Sequence, residues 1–168
     1  MITKDQLCDA MTKECDIALH LFEKIPGDSF EYRPAGKQRN TTELLRYLSM
    51  CGIGGIRWMD SGDSKVFSEM LEATRNMKPG EFPAAMRKQK AEIEQYFSAV
   101  SEEKLSTQQA RAPGGGSVPL QVAILNGPLK WLTGYKLQLF THAKSAGNDA
   151  IGTANAWAGI DWPPPKAN

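Results

Sequence analysis

The 168-residue chain is 41% hydrophobic and 23% charged, the composition of a globular chain with enough apolar side chains for a core without staples. Twenty Lys and Arg oppose nineteen Asp and Glu, a net charge of +1, and no basic run is interleaved with aromatics, which argues against nucleic acid or an anionic membrane as partner. No stretch approaches the roughly 18 apolar residues of a membrane span. The opening MITKDQLCDAMTKECD has no apolar signal-peptide core, so the expected location is the cytoplasm, and the length suits one domain over 1–168.

The first helix is expected over about 4–25, with Leu7, Met11, Ala18, Leu21, Phe22 and Ile25 on one stripe and Pro26-Gly27 as its stop. SFEYRPAGKQRN follows as an irregular crossing segment, because Pro34 disfavours helix at Arg33 and Gly36 suits a turn. The second helix begins at NTTELL, capped by Asn40 or Thr41, with Glu43 complementing its positive end. Its apolar side is Leu44, Leu45, Leu48, Gly52, Ile56 and Met59, and DSGDS closes it. Gly52, Gly54 and Gly55 each weaken a helix by roughly 1 kcal/mol relative to Ala, so three together predict close packing by a neighbour.

A short helix fits 65–76, and MKPGEFP leads to the third main helix over about 81–100, with Phe82, Met86, Gln89, Ile93, Phe97 and Val100 at three-four spacing. SEEKL resembles a helix end plus a new turn, and QQARAPGGGSVPL is the longest loop. The last main helix is expected over about 118–146, with Gly147 as its C′ residue. The tail over 151–168 is rich in Gly and Pro yet carries Trp157, Ile160 and Trp162, and is expected to lie against the bundle. No strand alternation stands out. The fold class is all-α: a four-helix bundle with a longer crossover and an irregular C-terminal tail.

Local chemistry is sparse. Cys8 and Cys15 lie seven residues apart on one helix, roughly 10 Å along its axis, too far for a disulfide. Three free thiols are expected, with Cys51 as a core-filling residue one helical turn after Tyr47. APGGGSVP lacks the Lys-Ser/Thr ending of a phosphate-binding loop and follows no strand, so it reads as a flexible connection rather than an anion site. His20 and His142 are the only histidines and belong to different helices. His20 with Glu23 gives a lone His-x-x-Glu, and a di-iron bundle needs a second copy and further glutamates. Trp131, Tyr135, Gln138 and His142 share one face of the last helix at spacings of four, three and four.

Three segments in order resemble the DinB/YfiT-like superfamily of metal-dependent four-helix-bundle proteins. FEYRPAGKQRNTTELLRYLS is similar to its crossing segment and second helix, where Glu-Leu-Leu normally runs on to His-Leu. SEEKL is similar to the frequent Ser-x-Glu-x-Leu after the third helix. WLTGYKLQLFTHAKSAG resembles the last-helix signature His-x-x-x-His-Arg-x-Gln-Leu with its terminal Gly, and together the three cover about residues 28–147.

The resemblance implies a DinB-like bundle and a homodimer. It also implies a metal site of three histidines, one on the second helix and two on the fourth. Those positions fall on Tyr47, Trp131 and Tyr135, while Gln138 matches the family's Gln and Lys136 replaces its usual Arg. Indole offers only a donor N–H, and phenol is neutral at physiological pH. The expectation is therefore a degenerate site without metal or other cofactor. Three aromatics filling the ligand space would each contribute on the order of 2–3 kcal/mol by burial. Alternatively, Tyr47, Cys51, Trp131, Tyr135, Gln138 and His142 line a pocket for a small apolar or aromatic ligand, without catalysis. The enzymatic alternative is a metal-dependent hydrolase, or a transferase using a low-molecular-weight thiol, with its site relocated to His142. A third reading, an interaction module, has AWAGIDWPPP presenting its tryptophans to a partner.

Overall fold

The computed structural model describes residues 2–112 and 114–163. Helix α1, Lys4–Phe22, starts where Thr3 accepts from the Gln6 amide and the Gln6 side chain accepts from the Thr3 amide. Helix α2, Thr41–Leu48, has the same reciprocal cap between Asn40 and Glu43, both bonds 2.8 Å. The crossing segment is pinned to this start, with the Thr41 amide on Tyr32 O and the Thr42 amide on Phe30 O.

The expected second helix is two helices. Its chain breaks at Ser49–Met50 and resumes as α3, Cys51–Ser61. No side chain of Met50 caps α3. Gln89 does so from outside: its Oε1 accepts from the Gly52 amide at 2.8 Å and the Ile53 amide at 3.3 Å, while its Nε2 donates to Leu48 O at 2.9 Å. One buried carboxamide thus satisfies backbone groups on both sides of the break. Gly52 gives it room, since a Cβ there would lie 3.1 Å from Gln89 Oε1 and 2.8 Å from Leu132 Cδ1.

Helix α4, Ser64–Ala73, packs on α3 and contains no fully buried residue. After a 3-10 turn at Pro79–Glu81, α5 runs over Phe82–Ala99 and the short α6 over Glu102–Thr107, capped by Ser101. The loop expected next holds a small hairpin. Strands β1, Gln109–Arg111, and β2, Ser117–Pro119, pair antiparallel with Ala110 opposite Val118. Three residues are too few to display a two-residue period, which is why the sequence shows no strand. Gly114, Gly115 and Gly116, all at positive φ, close the turn.

The last main helix is likewise segmented: α7, Leu120–Ile124, a π turn at Leu125–Leu129, and α8, Lys130–Ser145. Pro128 lies inside the π turn, where its missing amide hydrogen and its ring are tolerated by the wider loop of backbone. Helix α1 packs on α5 and α8, α2 packs on α8, and α3 packs on α5 and the π turn. These four limbs form the bundle around a core that includes Leu7, Leu44, Phe82, Ile93, Leu132 and Leu139.

The tail forms α9, Thr153–Ala158, against α1, burying Ile151, Asn155 and Ala156. Its tryptophans do not pack away: Trp157 is 56% and Trp162 73% exposed. The last part of the expected tail, 164–168, lies outside the described residues. Among the described residues no helix is long and apolar enough to cross a membrane.

Candidate functional site

Tyr47, on the last turn of α2, faces Tyr135 of α8, and their rings meet with centroids 4.6 Å apart. Arg39 directly precedes the α2 cap, so the pinned crossing segment fixes its backbone. Its guanidinium carbon stacks 4.1 Å from the Tyr47 ring centroid and 5.3 Å from that of Tyr135. A permanent cation therefore covers the contact between the two phenols. Burial pushes the Tyr47 phenol up, with Cys51 and Tyr135 adding to the rise and Arg39 opposing it.

Trp131 sits on the first turn of α8, presented by the π turn. It stacks on Trp58 of α3 at 6.0 Å and meets the edge of Phe67 of α4 at 5.6 Å. Phe67 also touches Tyr47 at 6.0 Å, joining the two halves into one aromatic cluster. Gly55 makes the approach possible: a Cβ there would fall 2.7 Å from Trp131 Cζ3 and 2.8 Å from Pro128 Cγ.

The other expected residues disperse. Cys51 is fully buried in the core, its Sγ 3.8 Å from Leu48 O, and burial pushes its thiol up. Gln138 is exposed. His142 is buried at the crossing segment, with Nδ1 3.2 Å from Thr41 Oγ1 and the Tyr32 ring edge-on at 5.6 Å. Burial pushes its pKa down. His20 is held by the tail, 3.0 Å from the Asn155 side chain, with Asp161 at 3.7 Å and no bond to Glu23.

A cavity of about 500 Å³ opens beside Trp131, and Trp58 and Trp131 line it. Arg111, Ser64 and the Gly114–Gly115 turn also border it. Of the six residues expected to line a pocket, only Trp131 does so here. Arg39, Trp58, Phe67 and Arg111 escaped sequence reasoning. Arg39 and Arg111 lie in segments without periodicity, whereas Trp58 and Phe67 fall within expected helices but off the motifs.

The residues at the expected ligand positions do not fit a metal. Indole cannot ligate through its N–H, the Tyr47 phenol resists ionisation, and the Arg39 guanidinium lies against the Tyr47 and Tyr135 rings. Among the described residues no group of three or more His, Cys, Asp or Glu side chains could hold an ion.

No protein-family model matches the sequence, and no curated protein matches it. In fold, the chain is similar to a DinB-like protein from Bacillus subtilis, with a TM-score of 0.64 at 15% identity, over 84% of this chain and 92% of that one. The fold is DinB-like. At that identity the likeness carries architecture, not activity, and the chemistry of this DinB-like bundle rests on its own side chains.

Proposed function

We propose that this DinB-like bundle works without metal and binds a small, flat apolar or aromatic molecule on which it does no chemistry. The cavity beside the Trp58–Trp131 stack carries the reading. Its volume of about 500 Å³ suits a small ligand, and stacked indoles offer a broad apolar wall beside the polar tip of Arg111. Tyr47, Tyr135 and Arg39 close off the neighbouring space, so the ligand lies on the Trp131 side of the cluster. The identification of Tyr47, Trp131 and Tyr135 with the family's ligand positions belongs to this proposal. It is supported by their meeting across α2 and α8 in one cluster.

Catalysis by a buried cysteine thiol, or by a site relocated to His142, has less support. Cys15 is buried with its thiol pushed up to about 12, Cys51 is pushed up as well, and neither thiol is poised as a nucleophile. His142 faces a hydroxyl and a phenol ring rather than a carboxylate.

Titration with 2-naphthol, followed by tryptophan fluorescence and calorimetry, tests the reading. Saturable one-to-one binding is expected, abolished in a folded Trp131→Leu variant and unchanged in Trp157→Phe. Absence of binding, or binding indifferent to Trp131→Leu, would overturn it.

A further inference from the structure

The cavity beside the Trp58–Trp131 stack carries charge of one sign. Among the described residues Arg111 is the only charged side chain in its wall, which is otherwise indole, Met59, Ser64 and small residues. Arg111 ends β1, where the alternation of the strand buries Ala110 and leaves Arg111 exposed. Across the hairpin turn the rim is open: a Cβ at Gly114 or Gly115 would meet nothing within 4 Å.

Other arginines of this chain have a carboxylate in hand. Arg33, Arg57 and Arg75 lie 3.0, 3.1 and 3.0 Å from Glu43, Glu92 and Glu72. Among the described residues no carboxylate oxygen comes within 4.0 Å of Arg111. The acids on the neighbouring part of the chain do not supply one. Asp60 pairs with Lys104 at 2.8 Å. Asp63 stands between Gly62 and Ser64 of the wall but is not itself part of it, and its Oδ1 caps α4, 2.9 Å from the Lys65 amide. Asp63 keeps its charge there, so the positive excess belongs to the wall of the cavity, where a ligand makes its contacts.

We propose that the ligand of this cavity is an aromatic acid, its flat ring system against the Trp58–Trp131 wall and its carboxylate met by Arg111 at the rim. This rests on the cavity being the site of a flat molecule and narrows the chemical class of that molecule. A carboxylate attached to an aromatic ring lies near the ring plane, so stacking the ring leaves both oxygens free to face outward. The planar guanidinium answers them with two parallel N–H donors. A cationic head finds no acid in the wall and meets repulsion from Arg111 instead.

The probes are 2-naphthoate, 2-naphthol and 2-naphthylmethylammonium, titrated into the full chain at pH 7.5, where the first is an anion, the second neutral and the third a cation. Naphthoate is expected to bind one-to-one, to be lost in Trp131→Leu, and to bind more tightly than the ammonium. Arg111→Gln, at an exposed position, should lower the naphthoate-to-naphthol affinity ratio about fivefold, the upper range for an exposed ion pair. Arg111→Lys should restore part of that ratio, and added salt should narrow it. The proposal falls alone, with the flat-ligand site standing, if 2-naphthol binds and naphthoate does not, or if Arg111→Gln leaves the ratio unchanged. It falls as well if the ammonium binds as tightly as naphthoate, if naphthoate binding survives Trp131→Leu, or if a preference for the acid emerges only in Asp63→Asn. Failure of all three probes to bind removes the site itself, and the proposal with it.

Discussion

At the scale of single residues, the informative contact is a cation on an aromatic face: the Arg39 guanidinium lies 4.1 Å from the Tyr47 ring centroid. In the proposed reading, Tyr47, Trp131 and Tyr135 stand where the family resemblance implies three metal-binding histidines. Arg39 stabilises itself through the ring quadrupoles and needs no ligand set. The exchange can be tested in reverse. Tyr47→His, Trp131→His and Tyr135→His together should create measurable Zn²⁺ affinity by equilibrium dialysis. Adding Arg39→Gln should tighten it by at least about tenfold, because a fixed positive charge stacked on the Tyr47 ring opposes a nearby divalent ion. If the triple histidine variant folds and holds no zinc, those three positions do not correspond to a ligand site.

At the scale of elements, the main structural departure is that the expected second helix breaks and is rejoined by a side chain from α5. Gln89 stood in the apolar stripe of its helix, where periodicity treats it as another buried residue. Its role depends on three backbone groups 36 to 41 residues away in sequence order, on Leu48, Gly52 and Ile53. Gln89→Leu preserves bulk but strands the Gly52 amide and the Leu48 carbonyl in the core. The expected cost is about 2–4 kcal/mol of unfolding free energy, read as a lower urea midpoint at constant m. Amide exchange at Gly52 and Ile53 should quicken before that of the rest of α3. A loss below about 0.5 kcal/mol would mean that water or a neighbour takes over the cap. This element also marks the boundary of what the sequence discloses. Caps are local, so Asn40 announced α2 from the sequence, while the Thr3 and Ser101 caps are seen only in the structure. The three glycines of α3 announced a close neighbour, and Gly52 and Gly55 found it in Leu132 and Trp131. The break at Met50, the π turn at Pro128 and the three-residue strands were silent, because tertiary contacts or backbone pairing complete them. The candidate site divides in the same way. Motif spacing brought Tyr47, Tyr135 and Trp131 to one cluster, while Arg39 arrives from an irregular crossing segment and Arg111 from a strand too short to show a period.

At the scale of the whole molecule, both histidines tie peripheral segments to the bundle, and both are held neutral. His142 joins the crossing segment through Thr41 and Tyr32, and His20 joins the tail through Asn155. Burial lowers each pKa below the ordinary 6.5, helped at His20 by Lys24 and opposed there by Asp161 and Glu23. The unfolded chain therefore takes up protons first as pH falls through about 6.5. Stability is fully present above that value and drains below it until the folded histidines also protonate. Glu43 and Asp161 have depressed pKa values, so their contributions are lost only as pH falls below the ordinary carboxylate range, outside this window. Each unit of histidine depression is worth about 1.4 kcal/mol, and each kcal/mol moves Tm by about 2–4 °C in a chain of this size. Thermal melts from pH 7.5 to 5 should show a decline beginning near 6.5. His142→Gln, which keeps a hydrogen-bonding group but cannot titrate, should flatten most of it, since among the described residues no carboxylate pairs with His142 as Asp161 does with His20 at 3.7 Å. A His142→Gln profile parallel to that of the unmodified chain would place the acid sensitivity elsewhere, and a Tm that rose on acidification would contradict the sign of both shifts.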